Sequence, residues 1–113
     1  MESLLPFLKE VLPEFIVDHF DLIRYTKNGT QFDIYVDEKN DPPVDFKVES
    51  KGFYPVRQVE DFPIRGKRVI LHIRRRRWRR PVTKQVISRE WTLPASGTRM
   101  TESFALFLKE ISG

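Results

Sequence analysis

Between Arg74 and Arg80 the chain places six arginines around one tryptophan. The run follows directly on Val69–Ile70–Leu71–His72–Ile73, a β-branched, alternating stretch that reads as the clearest strand, Arg68–Arg75, with Gly66 before it. Val69, Leu71 and Ile73 share one face. If the strand continues, Arg75, Arg77 and Arg79 follow on that face, and Arg74, Arg76 and Trp78 lie on the other. A slip of one residue only exchanges the faces, so no register buries all the charge. The arginines must leave the core by strand end, twist or projection past the sheet.

The run belongs to a wider segregation. Residues 1–63 carry 7 Lys+Arg and 13 Asp+Glu, a net of −6, whereas residues 64–113 carry 13 and 3, a net of +10. From Arg65 to Arg89 there are eleven bases and no acid. Such a block attracts polyanions, and guanidinium forks suit bidentate phosphate contacts. Seven extended residues span roughly 23 Å, about the axial distance over which duplex DNA presents a dozen phosphates. The candidate nucleic-acid-binding residues are therefore Arg65, Lys67, Arg68, Arg74, Arg75, Arg76, Arg77, Trp78, Arg79, Arg80 and Lys84. The competing reading pairs these bases with the acidic half; eleven bases without an acid favour nucleic acid over it. Trp78 can stack on a base, but a tryptophan in this setting is more often a core or rim anchor.

The rest of the pattern predicts an α+β chain, a small antiparallel sheet of hairpins flanked by an N-terminal and a C-terminal helix. Apolar spacing from Leu4 to Leu12 makes Glu2 to about Leu12 read as a short amphipathic helix that Pro13 ends. Asp21–Thr26 and Gln31–Val36 flank Asn28–Gly29, a strong hairpin signal, with Phe32, Ile34 and Val36 on one face. Asn40–Pro43 breaks the chain and Val44–Val48 is a possible edge strand. Ser50–Gly52 turns into a strand-like run, Phe53–Phe62, that ends at Pro63; Ile64–Lys67 is the next turn. Pro81–Lys84 returns the chain into Gln85–Trp91, and Trp91 is expected in the core. After Pro94–Gly97, Phe104, Phe107, Leu108 and Ile111 lie at helical spacing, with Thr98 or Thr101 as cap.

A chain of 113 residues with 40% apolar content suits one domain with a real core: an acidic helix plus hairpin over 1–49 and basic ribbon-like hairpins plus the terminal helix over 50–113. The absence of cysteine excludes a disulfide framework, a Cys nucleophile and thiolate zinc; with only His19 and His72 as nitrogen ligands, no metal or other cofactor is expected. No apolar run approaches a membrane span, and MESLLPFLKE has acids where a signal peptide has bases, so the expected setting is cytoplasmic and nucleoid-associated, without membrane contact. The acids are scattered, no glycine-rich phosphate loop or HExxH pattern occurs, and no catalytic residues are expected.

Asp61–Phe62–Pro63–Ile64–Arg65–Gly66–Lys67, then Val69 to Trp78, Arg80–Pro81–Val82, Trp91 and Gly97–Thr98–Arg99–Met100–Thr101 resemble the N-terminal region of bacterial insertion-sequence transposases. The likeness is to the ISAon-type N-terminal region, over roughly residues 50–108, and beyond it to the zinc-ribbon head of larger transposases. Where that ribbon has its two cysteine pairs, this chain has Asp37–Pro43 and Arg80–Thr83 without a thiolate, so a metal-free ribbon-like fold held by its core is expected. The resemblance implies a non-enzymatic DNA-binding module that helps recognise transposon-end duplex DNA, with a downstream catalytic transposase domain or subunit as partner. The alternative is a protein-interaction or structural module that docks the catalytic subunit.

Overall fold

The computed structural model of the chain describes residues 3–43, 47–89, 91 and 99–112. Two short helices open it, α1 (Leu5–Val11) and α2 (Glu14–His19). Pro6 sits in the first turn of α1, where its missing N–H costs nothing. Pro13 ends α1, as expected, but it also stands as the N-cap of α2. That second helix is absent from the sequence expectation, because six residues are too few for a periodicity to show.

The chain then forms a four-stranded sheet from β1 (Phe20–Lys27), β2 (Gln31–Glu38), β4 (Arg57–Ile64) and β5 (Lys67–Arg74), in the order β1-β2-β5-β4. The Asn28–Gly29 hairpin is present, and Asn28 Oδ1 accepts the N–H groups of Thr30 and Gln31, each at 2.8 Å. At the β4–β5 hairpin Arg65 (φ 53°) and Gly66 (φ 75°) both take left-handed backbone, which matches a two-residue turn to the twist of its strands. The α+β class with flanking helices holds. The join between the two hairpins is parallel, Phe32 to Asp37 opposite Val69 to Arg74, which seats β5 between β2 and β4. This central seat accounts for the complete burial of Val69, Leu71 and Ile73.

On the inner face these three meet Phe32, Ile34 and Val36 of β2, Val59 of β4, and Leu8, Leu12 and Ile16 of the opening helices. The C-terminal helix α3 (Glu102–Ile111) closes the same core with Phe104, Phe107, Leu108 and Ile111. Thr101 is its cap, accepting the Phe104 N–H at 3.1 Å, and Thr98, the other candidate, lies outside the described residues. Trp91 packs at the margin of the core, its ring 5.5 Å from Phe15 and 5.8 Å from Phe20.

A second, three-stranded sheet has the order β3-β6-β7, from β3 (Glu49–Phe53), β6 (Arg76–Arg79) and β7 (Val86–Ile87). Three expectations shift here. Ser50–Gly52 is strand rather than turn; Gly52 (φ 83°) lies where the register slips between Ser50 and Phe53, a bulge that glycine permits. The run from Phe53 is regular only from Arg57, and it passes through Pro63 because β4 is an edge strand with a register break between Asp61 and Ile64. The strand expected over Gln85–Trp91 is two residues long. Of the possible strand Val44–Val48, residues 44–46 lie outside the described residues, as does the loop Pro94–Gly97. No described helix is long and apolar enough to cross a membrane.

Candidate nucleic-acid interface

The sequence poses the problem of where six arginines go, and the fold answers it at Arg75. The strand breaks there: β5 ends at Arg74, and the next strand, β6, pairs with different partners in the smaller sheet. The Arg75 carbonyl, freed by the break, accepts the Tyr54 N–H at 2.8 Å. Each side of the break then engages its guanidinium groups differently.

Arg74 stays on the outer face of the larger sheet, opposite Asp37 across the parallel pair, and its fork grips that carboxylate at 2.7 and 2.6 Å. Arg68 makes the same kind of fork with Glu60 at 3.3 and 3.0 Å; the pair holds the Glu60 carboxyl below its ordinary range. Arg79 grips Glu49 of β3 at 3.1 and 2.6 Å, and together with Lys51 it holds that carboxyl low too. Arg75 donates to the Arg89 carbonyl at 2.7 Å and lies over the Trp91 ring. Arg89 in turn donates to the carbonyls of Asp41 and Pro42.

Arg76 meets a residue that the sequence reading did not single out. Its backbone N–H donates to Glu38 Oε1 at 3.0 Å, its guanidinium reaches the Glu38 carbonyl and Ser50 Oγ, and it packs over Phe53. Glu38 is 1% exposed. The alternation Phe32–Ile34–Val36, continued by two residues, puts Glu38 on the core face, and that was the available signal. Burial pushes its carboxyl pKa up, opposed by the Arg76 N–H and by the charges of Arg75 and Arg89. The Trp78 indole also favours the ionised form, although neither its Nε1 nor Glu38 Oε2 completes a hydrogen bond. Trp78 itself is 1% exposed, so stacking on a base would require unfolding; the anchor reading is the one the structure bears.

The ten candidate bases do not form one surface. Arg65, Lys67 and Arg68 lie at the β4–β5 turn, separated from the smaller sheet by the length of β5, about 23 Å at roughly 3.3 Å per residue. Arg77 and Lys84 are exposed, and Arg80 is half-buried. Arg77 lies over the Tyr54 ring, 5.7 Å from its centre, and Lys84 stands in a left-handed turn (φ 63°).

Pairing nevertheless leaves the smaller sheet basic. Residues 47–56 and 75–89 carry nine Lys or Arg against one acid, Glu49; with Glu38 and Asp41 brought in from outside these segments the balance among the described residues is nine against three. Exposed Lys47, Lys51, Arg77 and Lys84 carry part of that excess at the surface. Among the described residues no three His, Asp or Glu gather as a metal site. No family model, curated protein or solved structure matches this chain.

Proposed function

We propose that the chain is a DNA-binding module of the insertion-sequence transposase kind, one that contacts transposon-end duplex through its phosphates and performs no catalysis of its own. The observation that carries this reading is the concentration of bases in a sheet of three short strands, with Lys47, Arg77 and Lys84 exposed and in no ion pair among the described residues. A surface built to neutralise itself would hold bases and acids in near balance. The contacting groups are Lys47, Arg77 and Lys84, joined by Lys51, which lies 3.4 Å from the Glu49 carboxylate it shares with Arg79 but remains exposed, with Arg65 and Lys67 a strand length away as an outer contact. Arg68, Arg74, Arg75, Arg76 and Arg79 hold the fold, and they bind phosphate only where a pairing carboxylate is displaced.

Phosphate contacts position a protein without reading bases, so binding is steeply salt-dependent with modest sequence preference. Each cation that meets a phosphate adds about 0.9 to the slope of log K against log salt. Affinity for a duplex carrying transposon-end sequence, measured from low to physiological salt, should lose about one unit of slope for each of Arg77→Ala, Lys84→Ala and Lys51→Ala that removes a contact. These side chains are exposed, so the fold survives the changes. A triple variant with undiminished affinity and slope sinks the reading.

A further inference from the structure

A groove of about 750 Å³ opens between α1, α2, the end of β4 and the start of α3. Its apolar lining is Phe7, Val11, Phe15, Phe62, Met100 and Phe104. Phe7 and Val11 are among the most exposed large apolar side chains, at 46% and 45%. An amphipathic helix that keeps a phenylalanine and a valine half in water next to an apolar groove leaves part of its apolar stripe uncovered.

The groove also holds a carboxylate. Asp61 follows Val59 on the core-facing side of β4 and is 7% exposed. The Phe62 N–H is the one hydrogen bond that eases its ionisation, and burial pushes its pKa up. Two guanidinium groups line the same groove without pairing with it among the described residues: Arg99 is turned onto the Phe62 ring, 4.7 Å from its centre, and Arg65 is held in the hairpin turn. Glu14 and Asp18 stand at the groove as well, and His19 beside them, so three carboxylates face two guanidinium groups. A groove-lining carboxylate that accepts only a backbone N–H can take a further donor from an occupant of the groove, and a cation supplies both that donor and the opposite charge.

We propose that this groove docks an apolar peptide segment of a partner protein that presents one lysine or arginine to Asp61. The two requirements together choose the occupant. A free amine would meet the charge and leave the apolar walls wet; a wholly apolar segment would cover the walls and strand the carboxylate away from water. A segment with both fills the groove, and its cation is discriminated by the cost of leaving Asp61 unpaired. Arg65, an outer phosphate contact in the DNA reading, also lines the groove, but none of the bases proposed for the small sheet does, so peptide docking is tested independently of DNA binding.

The full chain, isotopically labelled, is titrated with two twelve-residue amphipathic peptides, apolar on one face, one with a central lysine on that face and one with norleucine in its place. The lysine peptide should shift the amides of Val11, Phe62 and Met100 and bind at least about tenfold more tightly than its norleucine twin. Asp61→Asn should equalise the two peptides, and Val11→Asp should abolish both. Val11 is already half-exposed, so that variant keeps the test decisive even where Asp61→Asn does not fold. No saturable shift up to about 1 mM peptide, equal affinity of the two peptides, or butylamine binding as tightly as the lysine peptide overturns the proposal.

Discussion

The two sheets of this molecule solve opposite problems. The larger one, with three helices on its inner face, buries fifteen apolar side chains in one continuous cluster, and Glu38 and Asp61 are the only buried charged residues among those described. The smaller one has a single buried apolar residue, Trp78, and around it the arginine fork on Glu49, the Arg76–Glu38 bonds and the Arg75–Arg89 link. Apolar burial is non-directional and tolerant; charged hydrogen bonds require geometry and are each weak when wet. The larger sheet should therefore set global stability, while the smaller one opens locally at lower cost.

The sharpest way to break that comparison is to excavate both sides. Leu71→Ala, in a side chain with no exposure, should cost about 2–5 kcal/mol and weaken amide protection throughout. Trp78→Ala should cost about 3–5 kcal/mol within its own sheet, raising hydrogen exchange in β3, β6 and β7 while β2 and β5 stay protected. Equal loss of protection in both sheets under Trp78→Ala would mean that they unfold as one unit.

Glu38 joins the two regions, and its removal is the next largest effect. Glu38→Ala leaves the Arg76 N–H and the cations of Arg75 and Arg89 without their shared anion, at a cost of about 2–4 kcal/mol in urea unfolding. Its pH signature has a definite sign. The carboxyl is raised in the fold, so the penalty for its ionised form is present at neutral pH and relieved as pH falls through the raised value towards 4.5. Relative to Glu38→Gln, the wild-type chain should gain stability over that descent; a constant difference would show that the carboxylate is effectively hydrated.

Two smaller tests sharpen the larger region. Thr101→Ala removes both the cap on the Phe104 N–H and the 2.6 Å bond to the Glu60 carbonyl, and should lower stability by about 1 kcal/mol. His19 packs against Phe15 and Trp91, and burial is the main cause holding its pKa below 6.5. The unfolded chain then binds the proton more readily, so stability is complete above 6.5 and declines as pH falls through and below it. His19→Phe should flatten that slope in thermal melts; an unchanged slope assigns the titration elsewhere.

Much of the larger region was legible in the residues. The Asn28–Gly29 hairpin, the face Phe32–Ile34–Val36, the face Val69–Leu71–Ile73 and the stripe of α3 follow from periods of 2 and 3.6 that burial on one side imposes. The short helix α2, β3 and the two-residue β7 were not, because so few residues carry no period. The candidate interface was legible in composition but not in arrangement. Eleven bases without an acid stand plainly in the chain, yet Asp37, Glu38, Glu49 and Glu60, which engage four of them, come from strands 8 to 38 residues earlier.

From the sequence alone it was determined that the arginines of the run Arg74–Arg80 had to leave the core, by strand end, twist or projection past the sheet, since alternation in any register would drive guanidinium groups into an apolar face. Only the tertiary structure decided where the run goes instead: a break at Arg75, a second sheet, and Trp78 turned inward beside Glu38. Local period is a property of neighbouring residues and can be read along a chain. The pairing of charges is set by which strands lie side by side, and the parallel seat of β5 beside β2, which puts Arg74 on Asp37, is written in no short stretch of sequence.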